Sequence, residues 1–262
     1  MQELPRRVRM GARTIHVADD QPTFWDRVEA GRWEPGTLAL IDQLVDGGTT
    51  FLDLGAWVGP TALYAATRAR RVIAVEADPA ALDQLKRNLS VNPDLAQRID
   101  IVAGAIDARE GPVTLGARRK AGDSMSSTLL ANSEHTWTAA AITPAQLAGR
   151  LRPDERLVLK IDIEGAEYAL LPHLAPLLDR ADAILAAFHP TILAAALGNR
   201  REAARQTRAA LSALARFTAH RVTRDGAGGR SLAPELVRWG LRGRLPGDEW
   251  LFVRRRASAP PR

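Results

Sequence analysis

An α/β fold of the doubly wound kind, built on a mainly parallel sheet, is what this sequence predicts. Three observations carry the prediction. Short β-rich runs recur along the chain, helical patterns lie between most of them, and acidic residues close several of the runs at their carboxyl ends. Strands that alternate with helices need crossover connections and so pair in parallel. With 262 residues, 46% of them hydrophobic, the chain is long enough to bury a real core. No repeat and no low-complexity linker divides it, so one domain is expected.

Taken in order, residues 1–35 are expected to form a small strand-and-helix lid ahead of a main domain over 36–262. The β-rich runs are "TTFLDLG" (Thr49 to Gly55), "RVIAVEA" (Arg71 to Ala77), "IDIVAGA" (Ile99 to Ala105), "RLVLKID" (Arg156 to Asp162) and "DAILAAF" (Asp182 to Phe188). Helices are expected over "GPTALYAATRA" after the first run, "DPAALDQLKRNLS" after the second and "GAEYALLPHLAPLLDR" after the fourth. In the second of these, Asp78 reads as an N-cap with Pro79 in the first turn. Residues 107–153, with Gly111, Gly116, Gly122 and the polar "GDSMSSTLL", read as an active-site insertion rather than core. A helix over Arg200 to Arg216 then precedes two late strands, "HRVTRDGAGGR" and "EWLFVRRR".

Composition removes several function classes. With no cysteine there are no disulfides, thiolate metal sites or cysteine nucleophiles. The basic N-terminus lacks the apolar run of a signal peptide, and no stretch is long and apolar enough to span a bilayer, so a soluble, cytoplasmic protein without a membrane partner is expected. The net charge of +6 permits a polyanionic partner, but the arginines are scattered ("RRVR" at Arg6, "RRK" at Arg118, "RRR" at Arg254) and no aromatic residues interleave with them. A solvated arginine surface is the expectation, with no nucleic-acid partner; a homo-oligomer is left open.

The chemistry begins at "FLDLGAWVGPTALYAA", a strand, a turn and a helix. Gly55 and Gly59 lack a Cβ, so the backbone there can bend sharply and approach a ligand. The spacing Asp-x-Gly-x-x-x-Gly departs from the Gly-x-Gly-x-x-Gly that cradles a dinucleotide pyrophosphate, which argues against a nicotinamide enzyme. Glu76 ends the next run, where a carboxylate can accept hydrogen bonds from both hydroxyls of a ribose; the alternative is a solvated strand-end carboxylate.

Together, "FLDLGAWVGPTALYAA", "VIAVEADPAALDQLKRNLSVNP" and "LVLKIDIEGAE" resemble the motifs of class I S-adenosylmethionine-dependent methyltransferases, and specifically the FkbM-type family. The likeness runs from about Pro35 to Pro190, and "KIDIEGAE" is its most specific piece. It implies a Rossmann-like, seven-stranded sheet whose last strand is antiparallel, which suits "EWLFVRR". It also implies S-adenosylmethionine as cofactor and S-adenosylhomocysteine as product. Asp53, Gly55 and Gly59, with Ala56 between them, would hold the methionine part, Glu76 the ribose, and Ala77, Gly104 and Ala105 the adenine, while Asp162 faces the transferring methyl. Trp57 and Pro60 depart from the usual family loop, so Trp57 either narrows the pocket or plugs the helix N-terminus.

Lys160, Asp162 and Glu164 stand at alternate positions where the fourth run ends. On a parallel strand covered on both faces, charge is tolerated mainly at the carboxyl end; if the strand persists, the three share one face and pair with one another. They are then a structural ion pair, or a catalytic group in which Asp162 orients the acceptor or takes its proton. His189, after the fifth run, is the other candidate base, and Lys160 is counted with the catalytic set. Glu164, Ser126, His135 and Trp137 are the candidate acceptor contacts, with Met125 as a cover for an apolar acceptor. Asp162, Glu164, Glu167 and His189 are ligand types for a hard divalent ion, but Glu167 is read as a helix cap and no metal is expected. The preferred function is methylation of a hydroxyl on a small-molecule acceptor, a sugar or secondary metabolite. RNA 2'-hydroxyl or protein methylation, and a non-catalytic nucleoside-binding module, are the alternatives.

Overall fold

The computed structural model describes residues 5–117, 121–122, 126–228 and 249–255. Met125 and the "RRK" cluster beginning at Arg118 lie outside the described residues. The chain opens with an antiparallel hairpin, β1 (Arg6–Met10) and β2 (Arg13–Val17), then α1 (Pro22–Glu29) and α2 (Pro35–Leu44). The alternation of Val8, Met10, Ile15 and Val17 turns one hairpin face inward, and these side chains share a core with Trp25, Phe51, Leu63 and Leu85.

The βαβ half follows as β3 (Thr49–Leu54), α3 (Pro60–Ala66), β4 (Arg71–Glu76), α4 (Pro79–Ser90), α5 (Pro93–Ala96) and β5 (Ile99–Ala103). As predicted, Asp78 caps α4, its side chain accepting from the amides of Ala80 and Ala81; a cap of this kind contributes about 1 kcal/mol. After β6 (Ala105–Ile106), the insertion contributes β7 (Pro112–Ala117), β8 (Ser126–Ser127), β9 (His135–Ile142) and α6 (Pro144–Ala148). Its strands join β6 in a second sheet of four strands in the order β6-β9-β7-β8.

The other half is β10 (Arg156–Ile161), α7 (Glu167–Leu170), α8 (Ala175–Leu178), β11 (Ala181–Ala187), α9 (Pro190–Leu197), α10 (Arg200–Ala213), β12 (Phe217–Thr223), β13 (Gly226–Ala227) and β14 (Glu249–Arg254). The single helix expected over 165–180 is instead α7, a 3-10 turn at Leu171–His173 and α8, because Pro172 and Pro176 cannot donate the amide bonds a continuous helix needs. The main sheet runs β13-β12-β14-β11-β10-β3-β4-β5, with β3, β4, β5, β10 and β11 parallel and β14 antiparallel to both its neighbours. It is therefore the doubly wound, Rossmann-like fold with an antiparallel last strand, seven strands long plus the two-residue β13. That edge strand exists because the chain turns at Arg224 and Asp225 back onto β12. Among the described residues no helix is long and apolar enough to cross a membrane.

Successive strands leave β3 in opposite directions, toward β4 and toward β10, so the crevice between their carboxyl ends is the switch point at which such sheets bind ligands. Asp53 and Lys160 face each other in register there.

Candidate active site

At the end of β3 the chain turns through Gly55 at φ +85°, and a Cβ on that residue would lie 1.9 Å from the carbonyl oxygen of Asp162. Only glycine lets the two strand ends close on each other. The amides of Gly55 and Ala56 both donate to the Val75 carbonyl, tying the loop to β4. Gly59 takes φ +89° at the start of α3, where a Cβ would strike Leu85; it serves helix packing and lies behind the cavity walls.

Two cavities open at the crevice. The first is a narrow slot bounded by Gly55, Glu76, Ala77, Gly104, Ala105 and Ser126. The second gives water-sized molecules about 390 Å³, against about 80 Å³ in the slot, and is bounded on its inner side by Ala56, Lys160, Asp162 and His189. Gly55, Trp57, Asp162 and Glu164 border both, so they mark the junction.

Glu76 is no solvated strand-end carboxylate: it is 8% exposed and accepts from the amides of Trp57 (2.7 Å), Ala77 (2.8 Å) and Asp78 (2.7 Å). Burial nonetheless outweighs these donors and pushes its carboxyl up to about 7. Trp57, itself at φ +49°, donates its indole N–H to the Gly122 carbonyl at 3.0 Å and packs edge-on against Phe24. It forms part of the wall between the cavities.

Lys160 and Asp162 pair as anticipated, Nζ to Oδ2 at 2.9 Å, with Asp53 Oδ1 at 3.7 Å on the other side of the ammonium. Asp53 is fully buried and its Oδ2 accepts from Thr61 at 2.5 Å. Burial pushes the Asp53 carboxyl up against the pull of Lys160 and Thr61. Burial would do the same to Asp162, but Lys160 and His189 hold it below the ordinary carboxylate range. Burial also disfavours the Lys160 ammonium, yet Asp162, Asp53 and Glu34 hold its pKa above the ordinary lysine value.

Glu164 does not share their face. The strand stops at Ile161, and the backbone takes φ +52° at Glu164 and φ +97° at Gly165, so the carboxylate swings toward His189, Oε2 to Nε2 at 3.6 Å. The other ring nitrogen of His189 contacts Glu167 Oε1 at 3.0 Å, and that oxygen also accepts from the Ile163 amide at 2.9 Å. Glu167 thus closes the turn before α7 and braces the histidine at once. Burial opposes charge on His189, but the bond to Glu167 and the charges of Glu167, Asp162 and Glu164 push it up to about 9. Burial, together with Asp162 and Glu167, pushes Glu164 up to about 7 against the opposing pull of His189.

Among the described residues, the insertion meets the slot and not the larger cavity. Ser126 donates to Asp78 Oδ2 at 2.9 Å and lines the slot, and the Trp137 indole donates to the Ala77 carbonyl at 3.1 Å. His135 is exposed at the outer end of β9, opposite Ala117, and lines neither cavity. The outer wall of the larger cavity comes from residues the sequence reading passed over: Phe24, Arg27, Trp33 and Glu34 from the N-terminal segment and Glu249 from β14. Phe24 stacks edge-on with both Trp33 and Trp57, making a continuous aromatic wall. Glu34, in a left-handed conformation before Pro35, is pushed by burial up to about 8. The signal available for it was "WEPG", an acidic residue between a tryptophan and a proline.

Residues 53–217 match the family model described as the methyltransferase FkbM domain. No curated protein matches the sequence. Among solved structures, methyltransferase FkbM from Methylobacillus flagellatus KT is 16% identical, with a TM-score of 0.49 over 90% of this chain and 56% of that one. The chain thus spans little more than half the length of that protein. A candidate O-methyltransferase from Klebsiella pneumoniae is 14% identical, at a TM-score of 0.46 over 85% of this chain and 80% of that one. An rRNA methylase from Streptococcus thermophilus is 11% identical, at a TM-score of 0.35 over 58% of this chain and 68% of that one.

Proposed function

This chain belongs to the FkbM family of methyltransferases, and from that premise we propose that it methylates a hydroxyl of a small-molecule acceptor, with S-adenosylmethionine as the donor. The observation that carries the proposal is the pair of cavities meeting at Gly55, Trp57, Asp162 and Glu164. The slot suits the nucleoside. Glu76 presents a buried carboxylate whose three amide donors leave room for a ribose hydroxyl, and Ala77, Gly104 and Ala105 leave space for a flat base. When bound, S-adenosylmethionine supplies a methyl group on a sulfonium, and S-adenosylhomocysteine is what remains after transfer.

The acceptor belongs in the larger cavity. Its aromatic wall of Phe24, Trp33 and Trp57 buries an apolar or ring face, and its floor of Lys160, Asp162 and His189 meets a hydroxyl. Asp162 stands at the junction with one oxygen on Lys160 and the other toward His189, placed to orient the attacking hydroxyl and to take its proton. The lining of this cavity offers Arg27 and the already paired Lys160 rather than the extended basic groove that RNA would call for, which favours a small molecule.

The experiment is transfer of labelled methyl from S-adenosylmethionine into a host extract, separated into small-molecule, RNA and protein fractions. Label in the small-molecule fraction supports the proposal and gives the acceptor's mass. Label confined to RNA or protein, or no label despite bound cofactor, overturns it.

The same assignment predicts a pH dependence of donor binding. A ribose hydroxyl donates to the ionised form of Glu76, so lowering the pH through about 7 protonates the acceptor and weakens binding. Affinity for S-adenosylmethionine should fall about tenfold between pH 8 and pH 6 by calorimetry. Glu76→Gln should bind more weakly at pH 8 and show little of this trend. A Glu76→Gln variant that keeps both the affinity and the trend would place the ribose elsewhere.

A further inference from the structure

We propose that Asp162, Glu164 and His189 form a site for a divalent cation, open to the larger cavity. Their ligand atoms lie within 4.8 Å of one another. His189 Nε2 is 3.7 Å from Asp162 Oδ1 and 3.6 Å from Glu164 Oε2. These separations are too long for hydrogen bonds, whose N···O distance is about 2.7–3.2 Å. They are close to the roughly 3.0–3.4 Å between neighbouring ligands that each sit about 2.1 Å from one ion.

Two of the three ligands are also fixed for the task by a group outside the set. Lys160 takes Asp162 Oδ2 at 2.9 Å and so leaves Oδ1 to face the histidine. Glu167, wholly buried, holds His189 Nδ1 at 3.0 Å and is itself pinned by the Ile163 amide. This is the carboxylate–histidine arrangement that directs the opposite ring nitrogen at a metal. The second oxygen of Glu167 is buried with no hydrogen-bond partner. The three ligands all line the larger cavity, which leaves coordination positions for water or an acceptor oxygen.

Two carboxylate oxygens and one imidazole suit a borderline ion of the Mn²⁺ type. An all-oxygen shell would point to Mg²⁺ or Ca²⁺, and a closed shell of four protein ligands to structural zinc. Binding of the ion stands on this geometry alone; the role it implies, holding the acceptor hydroxyl, rests on the methyl-transfer reading above.

The test is titration of the chelator-stripped full chain with MnCl₂, following free Mn²⁺ by electron paramagnetic resonance, with folding checked by circular dichroism. The wild type and Glu134→Gln, an exposed control in the insertion, should take up one equivalent. Glu164→Gln and His189→Ala should weaken uptake at least about tenfold. Glu164→Gln decides the matter should His189→Ala not fold. Stoichiometric uptake that both variants retain, or no uptake by the wild type, overturns the site. Methyl transfer that persists in chelator while Mn²⁺ is not taken up overturns the site and leaves the methyl-transfer reading standing. One equivalent bound by a chain that transfers no methyl supports the site and removes only that reading.

Discussion

Asp162→Asn is expected to lower kcat by about 10²- to 10³-fold while leaving the affinity for S-adenosylmethionine within about threefold. The substitution keeps the size of the side chain and an oxygen that Lys160 can reach at 2.9 Å, so the strand end should hold its shape. What it removes is charge at the junction of the two cavities, where the acceptor's proton must go. Glu76, in the slot, is untouched, and that is why donor binding should survive. Calorimetry with the donor and single-turnover kinetics with the acceptor found in the extract separate the two quantities. An equal loss in both would make Asp162 part of the donor pocket or of the structural ion pair, and the catalytic assignment would fall.

Why Asp162 was legible in the sequence, while Glu34 was not, follows from where each gets its neighbours. Asp53, Glu76 and Asp162 lie at or just beyond the carboxyl ends of strands packed on both faces, so each stands out as a charge against an apolar run. The sheet order places those ends side by side, and the functional crevice follows from topology. Glu34, Phe24 and Trp33 reach the same cavity by the folding back of the N-terminal segment, and Glu249 by the insertion of β14 between β11 and β12. The hydrogen bond from Thr37 to Glu249 joins residues 212 positions apart, and no local pattern announces such a contact. The strands of the insertion were not legible for a different reason. Its strands β7 and β9 are partly exposed and set among glycines and polar residues, so they carry little of the apolar signal that marks a buried strand. Glu164 was misplaced because the period of two was extended past Ile161, where the left-handed backbone at Glu164 and Gly165 ends it.

The largest effect on stability is expected from Lys160→Met, a loss of about 3–5 kcal/mol at pH 8. Lys160 is 6% exposed, and its ammonium lies between Asp162 Oδ2 at 2.9 Å and Asp53 Oδ1 at 3.7 Å. Asp53 is fully buried and its Oδ1 has no hydrogen-bond partner, so the nearby charge of Lys160, with the Thr61 hydroxyl on Oδ2, favours its ionised state. A methionine fills the volume of the lysine stem but leaves two carboxylates facing one another across the crevice. Burial already raises Asp53 above the ordinary carboxylate value with the lysine present, and without it the rise must be larger. A carboxyl whose folded pKa exceeds its unfolded one binds more protons in the folded state between the two values, so stability increases as pH falls through that window. The deficit of Lys160→Met should therefore shrink between pH 8 and pH 5.5. Adding Asp53→Asn should recover much of it at pH 8, because the uncompensated charge rather than the missing methylene contacts is the cause. Urea midpoints for the three chains at both pH values decide this. A deficit under about 1 kcal/mol, or one that does not change with pH, would mean that the charge on Asp53 is compensated by groups other than Lys160.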